Sequence, residues 1–232
     1  MAGPYVVETG ADAAGYEVAV LNLSNGKLVW SNFGCLEGDT EGPLVVGQMV
    51  ISYSCDNQSN ASVDANSLAT GTLAWSLPAG WTFQSGDLSG SIGKHLYATD
   101  PSGTVEALNP QTGNMEYSLS GAVTVLAVDL SRVYATCGGP NGYVCAYNIT
   151  TGAQEWQNTQ PMVISTTLAA EADGVLYLDV GEALNAATGK IIKALWQVTN
   201  FNTPPTALAV GDGRIALVND PRVLDLFGLK GS

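Results

Sequence analysis

The chain repeats itself. The segments VLNLSNGKLVW (20–30), ANSLATGTLAW (65–75), ALNPQTGNMEY (107–117), AYNITTGAQEW (146–156) and ALNAATGKIIK (183–193) share one pattern, and a degenerate VLDLFG stands at 223–228. Their glycines, Gly26, Gly71, Gly113, Gly152, Gly189 and Gly228, are separated by 45, 42, 39, 37 and 39 residues. A period of this length suits a four-stranded β-propeller blade, whose hydrophobic faces are buried only when neighbouring repeats stack.

Each repeat has the same strand grammar. The fourth reads TVLAVD (124–129), VYATCG (133–138), YVCAYN (143–148) and AQEWQN (153–158), separated by the turn-forming segments DLSR, GPNG and ITTG. The fifth repeats it with TTLAAE, VLYLDV, EALNAA and KIIKAL. Short apolar runs bounded by Gly, Asn and Asp pair antiparallel with their predecessors. No segment sustains apolar residues at helical spacing without a Gly or Pro interruption, so helices are not expected. With 27 glycines and only 12% charged residues, the composition also favours many short turns over solvent-exposed helices. The expectation is an all-β chain: a single propeller domain over 1–232 of about six four-stranded antiparallel blades. The blade repeats end near 31, 77, 119, 158, 196 and 230.

The conserved-looking centre of each repeat falls between the third and fourth strands of a blade. Thr112-Gly113 is read as a tight two-residue hairpin turn, where glycine tolerates a positive φ. The same reading covers Gly26, Gly71, Gly152 and Gly189. The aromatic residue four positions later, Trp30, Trp75, Tyr117 or Trp156, lies on the outer strand and is expected to pack over the next blade's turn. A small residue such as Ala107 leaves room for that neighbour.

On these residues the chain resembles the proteins with pyrroloquinoline-quinone-type repeats, whose tryptophan-docking motif runs roughly A-x-D-x-x-T-G-x-x-x-W. Ala146, Asn148, Thr151, Gly152 and Trp156 match with Asn for Asp. Ala107, Asn109, Thr112, Gly113 and Tyr117 match with Tyr for Trp. The fifth repeat departs, with Lys193 at the aromatic position and Trp196 three residues on, and the sixth stops after Gly228. PYVVETG and YEVAVLN at the start look like the second and third strands of a blade, while the end falls on a third strand. Either the terminal strands complete one another, or the chain is a portion of a larger seven- or eight-bladed ring; the closed ring of about six is the favoured expectation.

The resemblance implies two kinds of role. Quinone-binding members are dehydrogenases with an eight-bladed ring, a calcium ion, a catalytic Asp and often a vicinal Cys-Cys bridge. This sequence has no vicinal cysteines and no D-x-D-x-D cluster, so no quinone, metal or other cofactor is expected. Other members are extracytoplasmic scaffolds, such as the lipoprotein of the outer-membrane β-barrel assembly machine, or sensor domains attached to membrane serine/threonine kinases. The composition leans toward an exported sensor or cell-surface domain, fused in the native protein to a membrane-anchored kinase. The competing expectation is a quinone-type oxidoreductase or a hydrolase working in a central funnel.

Twenty-one acidic against eight basic residues give a formal charge of −13, which repels a phosphate backbone or an anionic membrane. No run of 18 apolar residues is present, and MAGPYVVETG lacks the basic start and apolar stretch of a signal peptide. Cys35, Cys55, Cys137 and Cys145 do not have zinc-site spacing and are read as two disulfides. Cys137 would pair with Cys145 across the GGPNG turn, and Cys35 with Cys55, which places the protein in an oxidising, extracytoplasmic compartment.

No catalytic constellation is visible. His95 is the only histidine and has no G-x-S-x-G elbow to accompany it. Asp100, Asp129, Asp173, Asp179 and Asp220 sit at strand ends or turns, where Asp bonds local backbone N–H groups. Trp81 and the segment LWQVTNFNTPPT (195–206) interrupt the blade pattern. Trp81, Trp196 and Phe201 are therefore the candidate ligand face for a protein or small-molecule partner, or else caps on blade ends. The expectation is a non-enzymatic binding, scaffold or sensor propeller.

Overall fold

Along Ala61–Ser67, Val63 and Ala65 are fully buried while Ser62 before them and Asp64 between them are not, the two-residue period of a strand with one dry face. Arg132–Cys137 and Tyr143–Asn148, by contrast, are buried on both faces, as strands packed between neighbouring sheets are. The computed structural model describes residues 4–12, 15–34, 42–55, 61–83, 94–138, 142–158, 169–179, 182–194, 207–211, 214–220 and 223–228. All regular structure among them is β, arranged in six antiparallel sheets whose strands follow sequence order.

The first sheet holds β1 (Tyr5–Asp12), β2 (Gly15–Asn22) and β3 (Leu28–Gly34). The second holds β4 (Leu44–Val46), β5 (Met49–Cys55), β6 (Ala61–Ser67) and β7 (Leu73–Leu77). The third holds β8 (Thr82–Phe83), β9 (Leu96–Thr99), β10 (Val105–Leu108) and β11 (Met115–Leu119). The fourth comprises β12 (Ala122–Val128), β13 (Arg132–Cys137), β14 (Tyr143–Asn148) and β15 (Gln154–Gln157). The fifth comprises β16 (Ala169–Ala172), β17 (Val175–Leu178), β18 (Glu182–Asn185) and β19 (Ile191–Ala194), and the sixth β20 (Ala207–Gly211), β21 (Arg214–Asp220) and β22 (Val223–Gly228). These are the blades of a β-propeller. By the repeat, the first sheet lacks an innermost strand and the last an outermost one.

The chain divides into two compact units at about residue 118, the first holding the first three sheets and the second the remaining three. Within the first unit, Val18 and Val20 of β2 pack on Val50 and Leu68, and Ile51, Val63 and Ala65 pack on Phe83, Leu96, Ala98 and Leu108. Within the second, Leu126, Tyr134, Val144 and Ala146 meet Leu176, Leu178, Leu184 and Ala186. Each buried large side chain contributes roughly 1.5–3 kcal/mol, so blade-to-blade burial is the main stabilising term.

The Thr-Gly turn is larger than the two-residue hairpin read from the sequence. Asn109 N–H donates to Asn114 O, and Gly113 N–H to Asn109 O, each at 2.8 Å, so four residues lie inside the loop. The same pairs recur as Asn22 with Lys27, Ser67 with Thr72, Asn148 with Ala153 and Asn185 with Lys190. An asparagine organises it: Asn109 Oδ1 accepts from the N–H groups of Gln111 (3.0 Å) and Thr112 (3.2 Å). The glycine then takes φ +70° and reverses the chain. Just beyond it a β-bulge absorbs one residue of the outer strand, so the aromatic falls directly opposite the small residue of the motif, as Trp75 opposite Ala65 and Trp156 opposite Ala146.

Candidate functional site

The docking aromatics form joints between consecutive sheets. Trp30 Nε1–H donates to Leu68 O (2.9 Å), Trp75 to Pro110 O (2.9 Å) and Trp156 to Ala186 O (3.0 Å), each acceptor lying in the turn of the following sheet. The ring faces cover that turn's glycine so closely that a Cβ on Gly71 would lie 2.7 Å from Trp30 ring carbons, and one on Gly113 2.8 Å from Trp75. Gly189 stands in the same relation to Trp156. Glycine is required there both by its positive φ and by the ring above it. Gly152 is buried with φ +69°, whereas a Cβ on Gly26, in the first turn, would meet nothing within 4 Å.

Tyr117 is arranged differently. Its hydroxyl lies 3.3 Å from that of Tyr97 and 3.4 Å from His95 Nδ1, and the His95 ring meets its edge at 5.2 Å. His95 Nε2 lies 2.8 Å from Glu116 Oε2, and Asn109 Nδ2 donates to the other Glu116 oxygen at 3.0 Å. Burial raises the phenols of both Tyr97 and Tyr117 above their ordinary range, so each is a neutral hydrogen-bonding group. The bonds of this cluster described here run between neighbours on the third sheet, and among the described residues no serine or cysteine nucleophile stands beside the imidazole.

A second polar cluster braces the fourth sheet. Asp129 Oδ1 accepts from the N–H groups of Ser131 (2.6 Å) and Arg132 (2.7 Å), while Oδ2 accepts from Tyr134 Oη (2.6 Å). Arg132 Nε in turn meets Glu155 Oε2 at 2.7 Å. Burial alone would raise the Asp129 carboxyl, but the bonds from Tyr134, Ser131 and Arg132 outweigh it and hold the group below its ordinary value. A depressed native pKa adds stability above the unfolded-state value, near pH 3.9, and that contribution is lost as pH falls through the native pKa. Tyr134→Phe is therefore expected to flatten the acid limb of a stability profile below about pH 4, measured by denaturant midpoints at successive pH values. Asp100 has the same turn chemistry, accepting from Ser102 N–H (2.9 Å) and Thr104 N–H (2.8 Å).

Cys137 and Cys145 are joined by a disulfide with Cα atoms 6.0 Å apart. The bridge is diagonal, because Cys137 pairs in register with Tyr143 and Cys145 with Ala135. Trp81 is partly buried and packs on the apolar layer between the second and third sheets. Cys35, Trp196, Phe201 and the 195–206 segment lie outside the described residues, as do the side chains of Cys55 and Lys193.

One surface feature was not singled out from the sequence. The second residue after the docking glycine is a large exposed hydrophobe in four repeats: Leu28 (58% exposed), Leu73 (53%), Met115 (56%) and Ile191 (36%). In the fourth repeat the position is Gln154. The same period that locates the glycines locates these residues, but only the structure shows that they face outward.

Repeated sheets locked by aromatic rings on glycine turns define a β-propeller of the pyrroloquinoline-quinone-like type. The chain belongs to the family described as outer membrane protein assembly factor BamB, whose model matches residues 5–124 and 59–199. Among solved structures it is similar to BamB from Moraxella catarrhalis, at 21% identity over 94% of this chain and 67% of that one, with a TM-score of 0.58. It is also similar to the computationally designed Ika8 protein, at 15% identity over 97% of this chain and 81% of the other, TM-score 0.55. At these identities the likeness is one of fold. No curated protein matches the chain.

Proposed function

We propose that this chain is a non-enzymatic interaction propeller of an extracytoplasmic compartment, a scaffold that holds a protein partner. The observation that carries the reading is the outward-facing apolar residue at one repeat position, Leu28, Leu73 and Met115 on successive outer strands. Scattered exposed hydrophobes need no explanation, but ones that recur in register suit an interaction surface. The Cys137–Cys145 bridge supports an oxidising compartment. Family membership favours a role in outer-membrane protein assembly over a sensor domain fused to a kinase.

The test is binding to the periplasmic domains of the central outer-membrane assembly subunit, by calorimetry, for the wild type and for Leu28→Ser/Leu73→Ser/Met115→Ser. Loss of about 1 kcal/mol per apolar contact predicts an affinity roughly 100-fold weaker for the triple variant, with an unchanged melting temperature because these side chains are exposed. Failure of the wild type to bind, or equal binding by both proteins, overturns the assembly-scaffold reading.

A further inference from the structure

Between the first and second sheets lies a cavity of about 320 Å³, within the first unit and lined by Asn32 and Phe33 of β3, Ser52 and Ser54 of β5, Asp64 and Asn66 of β6, and Gly71 and Leu73 at the start of the outer strand. We propose that it is a binding site for a neutral, polyhydroxylated small molecule, a single sugar ring or similar polyol.

The sheet face that forms it departs from the rule of the fold. The other face of the second sheet is dry, with Ile51, Val63 and Ala65 packed against the third sheet. The cavity face begins apolar, with Val50 against Val18 and Val20, and then turns polar. Asn66 marks the change. It stands five residues before its docking glycine, where the other repeats carry Leu21, Leu108, Tyr147 and Leu184. Leu108, Tyr147 and Leu184 are almost completely buried there, so this position ordinarily fills a sheet face with hydrocarbon or an aromatic ring.

Asn66 is 5% exposed and Ser52 8% exposed, both line the cavity, and among the described residues neither side chain has a hydrogen-bond partner. Their polar atoms are not among those sealed without a partner, so they stay open through the cavity to a ligand or water. Asp64, opposite Ser52 in the ladder, uses one oxygen for two serines: Oδ1 accepts from Ser62 Oγ (3.2 Å) and Ser76 Oγ (2.6 Å). Oδ2 is left to accept from a ligand. Across the cavity, Asn32 Nδ2 is held at 3.5 Å from Gly71 O, leaving its Oδ1 for a ligand donor.

This inventory selects the ligand class. Among the described residues the lining carries no Lys, Arg or His to pair with an anion, and its one described carboxylate falls short of the several charged ligands typical of a tight calcium site. Amide, hydroxyl and carboxylate groups at close spacing can each donate to or accept from vicinal hydroxyls. Phe33, 72% exposed, offers an apolar ring face at the rim for the C–H surface of a sugar. The volume sits at the small end of the ~300–1,000 Å³ range of small-molecule pockets, which suits one ring better than a long chain.

Trp30 supplies a built-in reporter, because its indole covers Gly71, itself part of the cavity wall. The experiment is titration of the full chain with a panel of neutral hexoses, pentoses and disaccharides up to about 50 mM, followed by calorimetry and tryptophan fluorescence. Calcium chloride and gluconate serve as the cation and anion arms. At least one neutral sugar is expected to bind with saturation, and its affinity is expected to fall at least about tenfold in Asp64→Asn and in Phe33→Ala. Asp64→Asn keeps the acceptor used by Ser62 and Ser76, and Phe33 is exposed, so both variants should fold as the wild type does. Leu73 belongs to both the outward apolar row and the cavity lining, so the control is Met115→Ala, which lies on that row outside the lining and is expected to leave sugar binding unchanged. No saturable response to any sugar overturns the proposal, as does sugar binding indifferent to both substitutions, or binding of calcium or gluconate alone.

Discussion

Trp75→Ala is expected to lower the free energy of unfolding by about 3 kcal/mol, the low end of the range for removing a large aromatic from a packed site. Three losses combine. The ring leaves the apolar layer between the second and third sheets, its Nε1–H no longer satisfies Pro110 O, and the surface of Gly113 is uncovered. Trp75→Phe, which keeps an aromatic ring but loses the hydrogen bond, should cost roughly 1 kcal/mol for that bond, with any loss of packing added. A double-mutant cycle tests the joint directly. Gly113→Ala in the wild type meets both the ring and the positive φ, whereas in the Trp75→Ala background only the backbone strain of about 1–2 kcal/mol remains. Equal costs in the two backgrounds, read from urea denaturation, would show that the ring and the glycine do not act together.

Removing the Cys137–Cys145 bridge by Cys137→Ser/Cys145→Ser should destabilise the chain by about 2–3 kcal/mol, the loop-closure entropy expected for so short a loop. The two cysteines are eight positions apart, and both are nearly completely buried, so the serine hydroxyls would add a desolvation cost. The entropic part of that loss should also appear on adding a reductant to the wild type, and a clearly smaller change should follow in the double variant, which retains only Cys35 and Cys55. A reductant effect of equal size in the variant would place the stabilisation elsewhere. Denaturation midpoints with and without dithiothreitol in both proteins decide it.

The repeat made the architecture legible. A glycine that needs positive φ, an aromatic at a fixed distance beyond it and a small residue before it are local requirements, and local requirements survive in a one-dimensional string. The strands of the fourth repeat fall within two residues of their expected starts and ends for the same reason. The turn was less legible. Thr-Gly alone suggests a two-residue hairpin, but Asn109 and its counterparts offer a side-chain oxygen to backbone N–H groups, and that competition lengthens the loop to four residues.

The candidate sites were legible only in part. Trp81 stood out because it breaks the pattern, yet it packs on an internal layer. Asn66 did not stand out, because an asparagine beside a turn in a chain rich in turns carries no signal until the position is compared across repeats. Leu28, Leu73 and Met115 were ordinary strand hydrophobes until their direction was known.

The sequence by itself determined the class of fold, the number of repeats and the residues that lock one sheet to the next, since all of these follow from periodic, short-range chemistry. Only the tertiary structure decided which sheet faces meet and which stay apart. Whether Asn66 and Asp64 are buried against hydrocarbon or open to a cavity depends on β3, more than 30 positions away in the chain, and the two-residue alternation of a strand says which residues share a face but not what the face confronts.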